Sequence, residues 1–451
     1  MAKATKDMTK GTIWKHIVLF ALPLFLGNLF QQLYNTVDAL IVGNFIGDTA
    51  LAAVTSCGSI TFFMIGFFAG VSTGAGVIVS RFFGAHDYDN LKKTVHTIVA
   101  FGLIAGTVMT VLGVLLVPFV LKLMQVDEAV MPYSVSYLRI YFAGALSFIM
   151  YNTFVGILQA VGDSKHPLYY LIISSVLNAV LDLLFVGVFK MGVAGAALAT
   201  IIGQFVSAIL CFIRLVRTRD VYKLTVKEIK IDGPLMKEII KIGLPAGVQN
   251  SIISFANIIV QSYINMFGAA AMAGVGTASK LEGFVFLPIN CFTMAITTFV
   301  GQNLGAKEYA RAKKGSTFGI ITTLVLAEAL GIIEFFLAPN LISLFAQSEE
   351  AIAYGVAKAR TSCFFYFLLA FSHCIAAVLR GAGKSFVPML VMMVCWCFIR
   401  VLFLMITVPL THDIRMLYII YPITWGLSGI YFLFYYLKGN WLHGKDNQQI
   451  D

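Results

Sequence analysis

Long apolar stretches, separated by short polar breaks, run along almost the whole chain. Each holds roughly 20 or more residues, the length that an α-helix needs to cross about 30 Å of hydrocarbon. A helix is the expected form, because it satisfies its own backbone hydrogen bonds where lipid cannot. The predicted spans are residues 15–45, 51–83, 92–125, 130–160, 166–190, 193–215, 237–267, 271–303, 313–346, 350–380, 386–410 and 414–437. The pattern therefore predicts an all-α integral membrane protein with twelve transmembrane helices.

Composition favours the same class of protein. Of the 451 residues, 59% are hydrophobic and only 12% are charged, whereas a soluble domain carries about 25% charged residues. The seven cysteines lie inside apolar spans without a CxxC pair, and the histidines are scattered along the chain. Small buried side chains are therefore a better interpretation of the cysteines than a metal or disulfide site.

Basic residues are distributed unevenly between the loops. Of the 32 Lys and Arg residues, 24 lie in the termini and the even-numbered loops, and only Lys122, Lys190 and Arg415 lie in odd-numbered loops. Basic loops stay on the cytoplasmic side, which places both termini and the polar linker after the sixth span in the cytoplasm. The net charge of +10 then reflects membrane topology, and we expect no nucleic-acid partner.

The two halves of the chain resemble each other at a constant spacing of 221 residues, as from Gly84 to Gly305 and from Pro167 to Pro388. With six spans in each half, both halves enter the membrane in the same sense. This predicts two six-helix lobes related by a pseudo-twofold axis along the membrane normal, with a substrate site between them. The predicted domains are an amino-terminal lobe (1–215), a cytoplasmic linker (216–236) and a carboxy-terminal lobe (237–451).

Acidic residues deep within the first half are candidates for function, because an ionisable group in hydrocarbon costs about 2.5–3.5 kcal/mol on insertion scales. Asp38 continues a polar face of the first span. Asn178 and Asp182 share one face of the fifth span, and Thr200 lies in the sixth. An alternative role for these side chains is hydrogen bonding between helices and water.

The acids have no counterparts in the second half. At the spacing of 221, Asn178 corresponds to Ile399 and Asp182 to Phe403. Polar residues with a purely architectural role could have been kept in both halves, so this asymmetry favours a specialised site in the first half.

Further residues are candidates for the wall of a substrate cavity. Glu282 either faces that cavity and attracts a cation or pairs with a neighbouring base, and the sequence leaves both possibilities open. Pro23 interrupts the first span and Pro245 the seventh, so both helices should kink there, with Pro23 as a candidate hinge. The candidate cavity residues are Gln32, Asn152, Gln249, Asn257, Glu282, Asn290 and Met294.

Several motifs together resemble the multidrug and toxin extrusion (MATE) family over about residues 10 to 440. They are LPLFLGNLFQQLYNTVDALIVGNFIG, which carries Pro23, RFFGAHD with its repeat QNLGAKE, QAVGDSKHP with its repeat RGAGKSFVP, and NAVLDLLFVGVFKMGVAGAALAT. The last contains Asn178, Asp182 and Thr200 at the spacing found in the amino-terminal-lobe cation site of DinF-like members.

The resemblance implies a transporter that exports organic cations and other amphipathic compounds in exchange for H⁺ or Na⁺, without another cofactor. In DinF-like relatives the residues that correspond to Tyr34, Asp38, Asn178, Asp182 and Thr200 form the coupling site, where Na⁺ would be bound at Asp38, Asn178 and Asp182. The expected location is the prokaryotic plasma (inner) membrane, with membrane lipids as partners and a monomeric state. The acidic residues that NorM-like members carry in the seventh and tenth helices are absent here.

Two other functions remain to be compared. A flippase for a lipid-linked precursor would need a cavity rich in Arg and Lys to bind a pyrophosphate head group, whereas the deep charges here are mainly acidic. A membrane enzyme would need a metal-binding cluster or a nucleophile motif. The sequence contains no HExxH, and its one GxSxG match, at residues 70–74, lies inside the second predicted span. We therefore expect a transporter and not an enzyme.

Overall fold

The computed structural model describes residues 7–46, 48–123, 128, 130–346 and 348–442. Between residues 34 and 65, side chains are described only for Ile41, Cys57 and Thr61. The described chain is helical, with no strand among these residues. Eleven of the described helices are long and apolar enough to cross a membrane, or twelve when one bent pair counts as a single span.

The twelve spans predicted from the apolar pattern are confirmed, with boundaries that differ by a few residues. In chain order they are α1 (Ile13–Ile46), α2 (Asp48–Gly84), α3 (Tyr88–Leu123), α4 (Met131–Ala143 and Ala145–Ala160), α5 (Lys165–Val188), α6 (Gly192–Arg217), α7 (Gly233–Asn265), α8 (Ala269–Gly305), α9 (Tyr309–Ser343), α10 (Glu349–Gly381), α11 (Phe386–Thr411) and α12 (Arg415–Lys438). The largest differences are the starts of α3, α7 and α9, each of which lies four residues before the predicted positions 92, 237 and 313.

Two helices are broken at matching places in the two halves. The two parts of α4 meet at Gly144 with a bend of 48°, where a Cβ atom would lie 2.5 Å from a side-chain carbon of Ile201 in α6. In α10 the regular helix is interrupted at Cys363–Phe365. The Glu328 carboxylate of α9 accepts a hydrogen bond from the Phe367 backbone N–H at 3.2 Å there, so it satisfies a donor that the break leaves without a helical partner.

Two other helices contain a π-helical stretch, which is one turn with an additional residue. In α5 it covers Leu183–Val188 and begins directly after Asp182. In α11 it covers Met393–Ile399 and ends directly before Arg400. Each π stretch therefore adjoins a charged residue that is almost fully buried, Asp182 at 0% exposure and Arg400 at 1%.

The chain divides into two compact units, and the second contains a segment from the first half of the sequence. The first unit comprises Leu22–Lys241, which includes the polar linker. The second comprises the residues from Ile242 onward together with Met8–Ala21. The predicted lobe boundaries at 215 and 237 stay a prediction.

In the second unit, the segment before α1 is held by side chains at the adjoining ends of α8 and α9. The Arg311 guanidinium donates to the backbone carbonyls of Met8 (3.0 Å), Lys10 (3.1 Å) and Gly11 (2.7 Å). The Gln302 side-chain carbonyl accepts the Met8 N–H at 2.9 Å, and the Met8 side chain is fully buried. We call residues 8–12 the amino-terminal clasp.

In the first unit, the linker is held in a similar way by α3. The buried His96 ring accepts the Thr225 N–H through Nε2 (3.0 Å), and its Nδ1 lies 2.6 Å from the Lys92 carbonyl oxygen, to which it donates. The Lys92 ammonium lies 2.6 Å from the Glu228 carboxylate and lowers the pKa of that carboxyl through this hydrogen bond. At the spacing of 221, residue 229 corresponds to Met8 and α3 to α9, so corresponding helices hold the segment before each half's first helix through different side chains.

Candidate functional site

Asn178 and Asp182 lie one turn apart on α5 and face the interior of the first unit. Their exposures are 2% and 0%, and both carboxylate oxygens of Asp182 are buried. Residues four apart on a helix are neighbours on one face, and α5 is helical at both positions. The regular part of α5 ends at Asp182 and the π stretch follows it, a local irregularity that is frequent at functional sites.

Gly203 of α6 brings the backbone of that helix against Asn178. A Cβ atom at this position would lie 3.3 Å from both the Asn178 Cβ and the Ser174 carbonyl oxygen, so a larger residue would require its neighbours to shift by a few tenths of an ångström. Thr200 lies one turn before Gly203 on α6 and donates to the Ala196 carbonyl at 3.0 Å. The contact between α5 and α6 therefore lies at Gly203, one turn after Thr200.

The side-chain amide of Asn178 has neither a hydrogen-bond donor nor an acceptor as partner among the residues that the structure describes. Leaving a buried polar group without a partner costs about 1–3 kcal/mol. This amide can therefore supply its oxygen to a bound cation or to a side chain beyond the described part. Either role fits a polar site built around Asp182.

Tyr34 and Asp38, the other two predicted coupling residues, lie on the helical backbone of α1. Their side chains fall outside the described residues. The structure thus places Asn178 and Asp182 on one buried face of α5, with Asn178 against Gly203 of α6, the helix that carries Thr200. The assignment of all five residues to a coupling site stays a prediction.

The predicted cavity residues differ in their surroundings. In the first unit, Gln32 is exposed and Asn152 donates to the Phe148 carbonyl of its own helix at 2.9 Å. In the second unit, Gln249 is buried, with its amide nitrogen 2.7 Å from the Met392 sulfur. The three residues Asn257, Asn290 and Met294 are exposed there. Their place in a substrate cavity stays a prediction.

Glu282 of α8 pairs with a base that the sequence analysis did not single out. Its carboxylate lies 3.3 Å from the Lys358 ammonium of α10, and both side chains are largely buried, at 13% and 5% exposure. The same ammonium donates to the Ser279 hydroxyl, one turn before Glu282 on α8. Of the two possibilities left open from the sequence, the structure shows the ion pair.

Arg400 of α11 is the second buried base in this part of the second unit. Its guanidinium donates to the Thr424 hydroxyl of α12 at 2.9 Å and lies 4.4 Å from the centre of the Tyr421 ring. The Lys358 ammonium lies 5.8 Å from the same ring, so two cations contact one aromatic side chain. Lys358 and Arg400 both lie inside predicted spans. Because a charged side chain is costly in hydrocarbon, their position in these spans is a signal that could have identified them from the sequence.

Pro23 is buried within α1, and Pro245 lies within α7. The division between the two compact units falls between Ala21 and Leu22, and again between Lys241 and Ile242. Pro23 and Pro245 therefore lie two and four residues after the last residue before such a division. A proline inside a helix removes one backbone hydrogen bond and so weakens the helix there. Hinge motion at Pro23 stays a prediction.

Known proteins resemble this chain over most of its length. The "Probable multidrug resistance protein YoeA" of Bacillus subtilis is 29% identical over 391 residues, which are 85% of this chain and 84% of that protein. The "Multidrug export protein MepA" of Staphylococcus saprophyticus is 24% identical over 77% of this chain and 76% of that protein. A solved transporter of the MOP superfamily from Pyrococcus furiosus has the same fold, with a TM-score of 0.91 and 24% identity over 98% of this chain and 99% of that one.

A family model, described as MatE, matches each half of the chain separately. The matched residues are 23–184 and 245–406, which together are well over half of the sequence. They contain Asn178 and Asp182 in the first half and the Glu282–Lys358 pair in the second. The duplication, the helices and the comparisons agree, and this protein belongs to the MatE family.

Proposed function

We propose that this protein is a secondary active multidrug efflux antiporter, which exports organic cations and amphipathic compounds in exchange for H⁺ or Na⁺. The observation that carries this proposal is the pair Asn178 and Asp182, fully buried on a membrane-spanning helix against Gly203 of the next helix. Relatives named as multidrug resistance and export proteins support the direction of transport and the class of substrate.

The chemistry of coupling follows from the burial of Asp182. A carboxylate in low dielectric needs a proton or a cation to balance its charge. The amide oxygen of Asn178 and the hydroxyl of Thr200 are oxygen ligands of the kind that hard cations prefer. Asp38, when it faces the same site, would add a second acid, and two neighbouring carboxylates resist joint ionisation. The site would then bind H⁺ or Na⁺ from outside.

Exchange requires that ion and drug each have different affinities for the outward-open and inward-open states. A ligand shifts the equilibrium between two states only by this difference in affinity, and two ligands that favour opposite states are thereby coupled. In this proposal the ion binds at Asp182, and the exported compound binds at the polar cavity residues. No other cofactor takes part.

The proposal includes a location and a topology. The protein is placed in the prokaryotic plasma (inner) membrane, with both termini and the linker in the cytoplasm, because basic loops stay on that side. Small amphipathic molecules and membrane lipids are its partners, and one copy of the chain suffices for transport.

Efflux of ethidium from vesicles, with a proton gradient and a sodium gradient imposed separately, tests the proposal. One of the two gradients should drive efflux from vesicles that contain the wild-type protein, and neither should do so with Asp182→Asn. A lipid-linked pyrophosphate in a parallel arm tests the flippase alternative. Gradient-independent movement of this lipid without ethidium efflux would contradict the antiporter proposal.

A further inference from the structure

The spacing of 221 residues between the halves is visible in the helix boundaries themselves. The start of α2 and that of α8 (Asp48 and Ala269) differ by this number, and so do the starts of α5 and α11 (Lys165 and Phe386). The ends of α6 and α12 at Arg217 and Lys438 follow the same rule. Counterpart residues can therefore be assigned helix by helix.

The two π stretches shift this assignment by one residue over part of α5 and α11. The stretch in α11 adds a residue before Arg400, so that positions after it correspond at a spacing of 222. The stretch in α5 adds a residue after Asp182 and restores the spacing of 221. Asn178 therefore corresponds to Arg400 and Asp182 to Leu404, which corrects the ungapped assignment to Ile399 and Phe403.

Burial supports this corrected register. The buried positions of α5 at Ser174, Asn178, Asp182 and Val186 have buried counterparts on α11 at a spacing of 222. These counterparts are Trp396, Arg400, Leu404 and Val408.

The contacts with the following helix agree as well. Asn178 lies against Gly203 of α6, and Arg400 binds Thr424 of α12, where Thr424 is the counterpart of Gly203 at a spacing of 221. Tyr421, the counterpart of Thr200, lies under the Arg400 guanidinium. Arg400 thus occupies in the second unit the place that Asn178 occupies in the candidate coupling site.

We propose that Arg400 is a resident cation, which fills the second unit's copy of the coupling site, so that the transporter takes up its coupling ion in the first unit alone. This inference rests on the proposed antiport function. The guanidinium cannot leave, since it is covalently attached, and it stays charged under all physiological conditions. Leu404 stands at the counterpart position of Asp182, so that position carries no acid in the second unit.

The neighbouring charges balance each other without any external ion. Lys358 pairs with Glu282, and Glu282 is close enough to interact electrostatically with Arg400 as well. Glu334 of α9 is buried beside the Tyr366 hydroxyl and within electrostatic range of Glu282 and Lys358. The cluster therefore holds two bases and two acids and has no net formal charge. Removal of Arg400 would leave one base, Lys358, beside two acids, and a proton or another cation from solution could then take the place of the guanidinium.

Counting the bound coupling ions tests this inference on the wild-type protein. The purified transporter is titrated with the ion whose gradient drives ethidium efflux, with ²²Na⁺ binding or proton uptake as the readout. We expect one ion per transporter and none with Asp182→Asn. Two ions per wild-type transporter, one of which survives in Asp182→Asn, would overturn the inference while leaving antiport at Asp182 intact. Failure of ethidium efflux under both gradients would instead contradict the proposed function.

Variants of Arg400 in the Asp182→Asn background give the second test. Arg400→Gln should create uptake of about one ion per transporter, whereas Arg400→Lys should create none because it keeps the charge. Adding Glu282→Gln to Arg400→Gln should abolish the new uptake. A monodisperse Arg400→Gln variant that binds no ion would overturn the inference. If that variant does not fold, the ion count on the wild-type protein decides.

Discussion

The Lys358 ammonium and the Glu282 carboxylate lie 3.3 Å apart between α10 and α8. Breaking a buried ion pair on one side leaves an uncompensated charge, at a cost of about 3–5 kcal/mol. We therefore expect Lys358→Met to lower the thermal stability of the purified protein more than the double variant Lys358→Met/Glu282→Gln does.

Transport by Glu282→Gln separates a structural role for the pair from a role in the cavity. If Glu282 also attracts substrates, export of cationic compounds should fall about tenfold, the effect of about 1.4 kcal/mol, while export of neutral ones is kept. Equal losses for both classes, together with lower expression, would assign Glu282 to structure alone.

The amino-terminal clasp depends on Arg311, which donates to three backbone carbonyls. Hydrogen bonds from a charged group are worth about 1.5–3 kcal/mol, so Arg311→Gln should release residues 8–12. Amide hydrogen exchange in this segment should then be faster by at least about tenfold, as expected for the loss of about 1.4 kcal/mol. Lys314→Gln, at an exposed position on the same helix, is the matched control. Unchanged protection in Arg311→Gln would show that the clasp does not depend on this side chain.

The twelve helices could be predicted from the sequence because crossing hydrocarbon imposes one simple requirement, a long apolar run. The face shared by Asn178 and Asp182 followed from helical periodicity in the same way. Both inferences use only residues close to each other in the chain.

The Glu282–Lys358 pair and the register of Arg400 could not be predicted by such reasoning. The two members of the pair are 76 residues apart, and which base Glu282 meets depends on how α8 packs with α10. The ungapped comparison of the halves assigned Ile399 to Asn178, because a π stretch leaves no mark in a wholly apolar run such as Met393–Ile399. Both features depend on contacts between residues that are far apart in the sequence.

The close contact between α5 and α6 offers a steric test of the candidate site. In Gly203→Ala the new methyl group would lie 3.3 Å from the Asn178 Cβ, so Asn178 must shift by a few tenths of an ångström. Overpacking of this kind costs about 1–3 kcal/mol, and we expect a several-fold lower rate of gradient-driven export at normal expression. Gly283→Ala, where a Cβ meets no atom within 4 Å, should export at the wild-type rate. Equal rates for both variants would count against a site at this contact.

Topology can be tested at Lys223, an exposed linker position. Because the basic loops are expected in the cytoplasm, Lys223→Cys should resist an impermeant thiol reagent in intact cells and react after the cells are opened. Six of the native cysteines are buried and Cys397 is partly exposed, so Cys397→Ser provides the background for this assay. Efficient labelling in intact cells would reverse the proposed topology.

The central claim is that the coupling ion binds in the first unit at Asp182, together with Asp38. An Asn at either position keeps the shape and the hydrogen bonding of the side chain but cannot take up a proton or balance a sodium ion. Substrate binding in detergent should survive in both variants, since the cavity residues are unchanged.

The most direct measurement is ethidium export by Asp182→Asn and by Asp38→Asn in proteoliposomes, under the gradient that drives the wild-type protein. We predict that export by each variant falls to the level of protein-free liposomes, while the reconstituted amount and ethidium binding stay close to those of the wild type. Export by both variants at near wild-type rates would contradict the account.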